Sequence, residues 1–298
     1  MNPSTTKTSD PLLQVIAWIA VVGTTLPEVI WKESGFRISF VFVAIESALF
    51  VAAAAAVRGS PRLRGLTGFL LAIAALNVAW HLVVPALAQT NFVRALSDNA
   101  NWAERLFIAR TLTLSGVVLG CLTLIGSGLR RRDLFLRWGD FSAPAQPIRF
   151  LGLRKPVSWA WFGPVVLLVF ALALCPFLYA TIPSNAGAGG RVLRFLPWMF
   201  AVSALNAASE EFQFRNLLLG HLRNMFRPGE AALLTAAFFG FGHFYGQPSG
   251  LLGALMAAFA GWIWARSMIE TRGFGWAFIT HMVQDMIIFA FLAMGAKN

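Results

Sequence analysis

Long apolar runs separated by short, mostly basic stretches set the plan of this chain. Nine runs stand out: Pro11 to about Ile30, Ile38 to Val57, Leu66 to Ala88, Leu106 to Leu129, Trp159 to Ile182, Val192 to Leu222, Ala231 to Tyr245, Leu251 to Ala265 and Phe274 to Met294. Most approach the roughly 20 residues that an α-helix needs to cross a bilayer. The pattern therefore predicts an all-α fold, a polytopic transmembrane helical bundle of about 8–9 spans. Asp10 followed by Pro11 reads as a helix cap with a first-turn proline, opening a retained span rather than a cleaved signal. The seventh and eighth runs are short, which suits a re-entrant unit or two tilted helices. The sixth is too long and must tilt, break or lie partly in the interface.

Composition supports this plan. Hydrophobic residues make up 57% of the chain and charged residues 12%, outside the range of soluble domains. The net charge of +11 does not point to nucleic acid, because the basic residues lie in short loops rather than on one face. With nine spans, the N-terminus and even-numbered loops hold more than twice as many Lys and Arg as the opposite side. That asymmetry, in which Lys7, Arg58, Arg62, Arg64 and the Arg130 to Lys155 stretch share a side, places the N-terminus in the cytoplasm and the C-terminus outside. A cytoplasmic (inner) membrane is the expected location. Several tryptophans fall near span ends, where indole rings anchor. Cys121 and Cys175 both lie in apolar runs, so no disulfide framework is expected. The chain divides into a four-span region (1–129), a basic, Pro-containing cytoplasmic linker (130–158) and a five-span C-terminal domain (159–298).

Chemistry concentrates in that last part. Ser209-Glu210-Glu211-Phe212-Gln213-Phe214-Arg215 interrupts the sixth run, and charges at membrane depth mark function by default. In an α-helix Glu211 and Arg215 share a face and can pair, while Glu210 points about 100° away. His243 closes a Phe- and Gly-rich stretch, and His281 and Asp285 stand four apart in the last run. At about 1.5 Å of rise per residue, all of these reach one layer near the membrane midplane on the cytoplasmic side. Such a layer needs a wet cavity. A carboxylate and an imidazole sharing a water can deprotonate it, and nearby donors can steady the oxyanion that forms. No Ser, Cys or Thr is placed as an activated nucleophile, so attack by water is preferred. A proton-coupled transporter would use the same buried groups as a relay, and a non-catalytic scaffold of bacteriocin-immunity type would keep them as structure. In the N-terminal half, Glu46 and Arg110 are expected to pair across helices, with Asn77 and His81 bonding a neighbour.

Three of these motifs, Glu210-Glu211-x-x-x-Arg215, Phe239-x-x-x-His243 and His281-x-x-x-Asp285, resemble in content and order those of the CPBP or Abi family, intramembrane proteases related to Rce1-type CAAX prenyl proteases. The resemblance covers roughly Trp159 to Met294. It implies an intramembrane endopeptidase of glutamic type acting on a membrane-associated, CAAX-like or lipidated peptide or protein. Glu210 with His243 would activate the water, Glu211 and Arg215 would brace the helix, and His281 with Asp285 would serve the oxyanion. Many members carry Asn at the last position. An ionised Asp285 cannot donate, which leaves the oxyanion role firmer for His281. A reaction without cofactor is favoured, with zinc as the alternative, since two His and a carboxylate also suit that ion. The expected partners are the substrate and the bilayer, and not nucleic acid.

Overall fold

The computed structural model describes residues 10–184 and 187–296; Lys7 and Lys297, counted in the charge asymmetry, lie outside them. Eight of the described stretches are long and apolar enough to cross a membrane. The chain is an integral, multi-pass membrane protein.

The first two runs form α1 (Pro11–Glu33) and α2 (Phe40–Arg58). Asp10 caps α1, its carboxylate accepting the Leu12 amide at 3.0 Å, and Ser39 caps α2 through the Phe42 amide at 3.1 Å. The third run holds α3 (Thr67–Val78), a π-helical turn (Ala79–Val83) and α4 (Val84–Ala88). Pro85 lacks the amide that a regular ladder requires, and the ladder widens just before it. A short helix, α5 (Asn91–Asp98), precedes the fourth run. That run splits into α6 (Trp102–Leu112), opened by an Asn101/Glu104 capping box, and α7 (Leu114–Thr123).

Next come β1 (Pro144–Ala145) and β2 (Val157–Ser158), which pair antiparallel, and then α8 (Trp159–Thr181). The overlong sixth run stays continuous by changing pitch: α9 (Ala188–Glu210) passes into a π-helical segment (Glu211–Leu217) and resumes as α10 (Leu218–Leu222). The seventh run is α11 (Pro228–Gly242). It is about 22 Å long at the α-helical rise, against a hydrocarbon core of roughly 30 Å. It is not among the eight. The eighth run, short in the sequence pattern, extends to α12 (Gly250–Thr271), and the last is α13 (Gly275–Gly295).

The chain forms two compact units that interleave along the sequence. One comprises Met1–Leu82, Val118–Leu134 and Gln213–Arg266. In it Gln14 of α1 donates to Glu230 at the start of α11 (3.0 Å), and the Gly68 Cα stands against the His221 ring, where a Cβ would come within 2.3 Å. Asn77 donates to Glu46 at 2.8 Å, and His81 lies 3.2 Å from Glu28. Glu46 is thus held by Asn77, and Arg110 by another residue altogether. The pair expected between Glu46 and Arg110 is replaced by these contacts: Asn77 donates to Glu46 Oε2, and the charge contact of Arg110 is with Glu210.

The other unit comprises Val83–Val117, Phe135–Phe212 and Ser267–Asn298. Its core joins α6, α9 and α13 through Ala103, Phe195, Met199, Val202, Phe289 and Ala293, with Trp102, Phe107 and Trp198 packed against them. The stretch that the sequence marks as a linker is folded onto the start of α13. Phe274 and Gly275 donate to the carbonyls of Arg137 and Trp138 at 2.9 and 3.2 Å, and the Trp276 indole donates to Phe141. Gly139, at φ +83°, lies so close to Gly273 that a Cβ there would approach its backbone within 2.9 Å. In the same stretch the Ser142 hydroxyl and amide both donate to Asp140, which holds that carboxyl below the usual carboxylate range.

Candidate active site

The apolar seam of the second unit ends in polar residues on the same helix faces. On α9 the core positions 195, 199 and 202 continue at helical spacing to Asn206 and Glu210. On α13, positions 293 and 289 continue to Asp285 and His281, and on α6 the residues 103 and 107 continue to Arg110. Rigid packing of Phe, Met and Val therefore fixes where the charges stand.

Those charges form one cluster. His281 Nδ1 lies 2.7 Å from Glu211 Oε1, and since a carboxylate accepts, the ring nitrogen donates. Its Nε2 faces Glu210 Oε2 at 3.5 Å and Asp285 Oδ1 at 3.7 Å. Asn206 Nδ2 donates to Asp285 Oδ2 at 2.9 Å. Arg110 Nη1 stands 3.8 Å from Glu210 Oε1. Glu211 is fully buried and the His281 side chain is only 4% exposed, so these are desolvated contacts. Four of the six residues singled out in the sequence, Glu210, Glu211, His281 and Asp285, are thereby brought together. Sequence reasoning missed Asn206, although it lies one helical turn before Glu210, and it assigned Arg110 elsewhere.

The change of helical pitch falls on the acidic pair. Glu210 is the last α-helical residue of α9, and Glu211 the first of the π segment. Such bulges are rare and concentrate at functional sites.

His243 and Arg215 belong to the first unit. His243 Nδ1 donates to the Phe239 carbonyl at 2.8 Å, one turn back on α11. Arg215 is completely buried, its guanidinium over the rings of Phe239 (4.1 Å) and Trp264 (4.8 Å), with Nε directed at the Gly261 carbonyl at 3.4 Å. Phe239 thus fixes both motif residues. Of the two glycines beside it, Gly240 admits the backbone of α12, since a Cβ there would meet the Ala254 carbonyl at 2.6 Å.

Among the described residues no group of three or more His, Cys, Asp or Glu is arranged to hold a metal ion. Glu211 and His281, at hydrogen-bond distance, use their facing atoms on each other.

The chain is thus a multi-pass membrane protein in which two adjacent glutamates, a histidine and an aspartate gather on buried helix faces. Residues 192–287, roughly a third of the chain, match the family model described as type II CAAX prenyl endopeptidase Rce1-like. That match supports a likeness of this part of the chain to the CPBP/Rce1-like family of intramembrane proteases. No curated protein and no solved structure matches the chain.

Proposed function

We propose that this protein is an intramembrane endopeptidase that hydrolyses a peptide bond of a membrane-associated peptide or protein by glutamate-activated water, without a metal. The observation that carries this reading is the Glu210, Glu211, His281 and Asp285 cluster. Its one imidazole bonds Glu211 at 2.7 Å through Nδ1 and faces Glu210 at 3.5 Å through Nε2, so that Glu211 orients the ring and Glu210 stands at its other nitrogen as the base.

In this mechanism Glu210 takes a proton from water as the water oxygen bonds to the substrate carbonyl carbon, and the carbonyl π electrons move onto oxygen. Collapse of that tetrahedral species re-forms the carbonyl and breaks the C–N bond. The proton held by Glu210 passes to the departing amine. The family resemblance gives His243 a share in water activation. The CAAX-like or lipidated character of the substrate follows from the family resemblance. We assign the N-terminus and the basic stretch 130–155 to the cytoplasmic face of an inner membrane. There the arginines meet anionic headgroups at about 1 kcal/mol per residue.

The test compares membrane proteomes of cells carrying the wild-type protein and Glu210→Gln. An uncleaved precursor should accumulate in the variant and be matched by His243→Ala. Identical proteomes, with both variants inserted at wild-type levels, would refute the hydrolytic reading.

A further inference from the structure

The tetrahedral species of the proposed reaction carries a negative oxygen, and such a charge in a dry site needs hydrogen-bond donors already in place. Counting donors in the cluster leaves few. Glu210, Glu211 and Asp285 only accept when ionised. His281 Nδ1 is occupied by Glu211 at 2.7 Å, and Nε2 is flanked by Glu210 and Asp285 at 3.5 and 3.7 Å, so a proton there already has two acceptors. The Asn206 amide gives one of its two N–H groups to Asp285 at 2.9 Å, and the residue is buried.

Arg110 is different. Its guanidinium approaches Glu210 at 3.8 Å, a charge contact beyond hydrogen-bond reach, and among the described residues it makes no hydrogen bond. Its side chain is 35% exposed, against 4% for His281. A guanidinium with five donors, next to the proposed base and open on one side, is unusual at this depth. An arginine in a membrane span faces a wet cavity or a charged partner. Nor is its place accidental. The helix α6 is fixed against α9 by Trp102 on Phe195 (5.7 Å) and Phe107 on Trp198 (5.6 Å), and Arg110 lies one turn beyond Phe107.

We propose that Arg110 is a catalytic residue: its free N–H groups bind the oxyanion formed when water, deprotonated by Glu210, adds to the substrate carbonyl. The inference rests on the hydrolytic reading above. It also gives the N-terminal half, which lies outside the family match, a direct part in the reaction. In the tetrahedral species the former carbonyl oxygen accepts from Arg110, whose contact with Glu210 loosens once that carboxylate holds the proton. On collapse the electron pair returns to carbon, and Arg110 is left as it began, unchanged in charge and protonation.

The experiment uses the full-length protein in nanodiscs and a synthetic peptide spanning the bond left uncleaved in Glu210→Gln membranes. Arg110→Ala should lower kcat by about 10²- to 10³-fold, the cost of removing one oxyanion donor, with KM changed by less than about threefold. Added guanidinium ion should restore part of kcat to Arg110→Ala but none to Glu210→Gln. Arg110→Gln, of similar length with two donors, keeps the assay informative if the alanine variant does not insert, and should retain intermediate kcat. A kcat within about threefold of wild type in either variant overturns the proposal. So does a rise in KM alone, which would make Arg110 a site for an anionic part of the substrate, or a loss in kcat that guanidinium does not touch. Absence of any accumulating precursor in Glu210→Gln, or cleavage by that variant, removes the hydrolytic reading itself and this assignment with it.

Discussion

Exchanging Asn206 and Asp285 tests whether the acidic cluster is held as a network. The two side chains meet at 2.9 Å, amide to carboxylate, both buried. Asn206→Asp alone would set two carboxylates face to face. Leaving a buried charge without its partner costs about 3–5 kcal/mol. Asp285→Asn alone keeps an acceptor for Asn206 but gives up charge assistance and the attraction to His281 at 3.7 Å. A hydrogen bond to a charged group contributes about 1.5–3 kcal/mol and a neutral one about 1, so this variant should lose about 1–2 kcal/mol. The double exchange, Asn206→Asp with Asp285→Asn, puts one amide and one carboxylate back in contact and should recover at least about 2 kcal/mol of the summed single losses. Denaturant titration of the purified protein in mixed micelles, on wild type, both single variants and the double, measures this coupling. Single losses that simply add, within about 0.5 kcal/mol, would show that the 2.9 Å contact carries no energy. The reasoning about the cluster would then fail.

Two further outcomes follow from the same structure. Gly240→Val should destabilise the protein by about 1–3 kcal/mol through overpacking against α12. By contrast Gly242→Ala, whose new methyl would find nothing nearer than Phe214 at 3.7 Å, should melt close to wild type; equal losses would remove the helix-approach role assigned to Gly240. Exhaustive stripping with chelator should leave cleavage of the accumulated precursor unchanged, and added zinc should not raise it. Activity lost on stripping and regained with zinc would overturn the metal-free reading.

Much of the membrane plan was legible because period and length are properties of the sequence itself. Runs of twenty apolar residues, the Asp10 cap and the His281/Asp285 spacing all survive as structure. What was hidden depends on partners far along the chain. Arg110 could be seen as a costly charge in a span, but whether it meets Glu46 or Glu210 is decided by which helix α6 packs on, and that is set by aromatic contacts at Trp102 and Phe107. Asn206 was overlooked because a single amide in an apolar run draws no attention until an Asp is found opposite it. The π segment at Glu211–Leu217 left no pattern to read, since a wider turn needs no special composition. A fifteen-residue α11 was visible as a short run, which the sequence reads as part of a re-entrant unit or as a tilted helix.

That wider turn also means that the helix carries about one residue more than a regular coil would. A seven-residue π segment holds its ladder with five-residue spacing. Loss of one amino acid between Phe212 and Asn216 would let the coil tighten to regular pitch, and the narrower turns would return the residues beyond it close to the faces they now occupy. His221, whose ring fills the notch left by Gly68, and the buried Leu217, Leu218 and Leu222 would keep their places. An added residue finds no such release: absorbed at regular pitch farther along, it would swing everything downstream by about 100° around the axis.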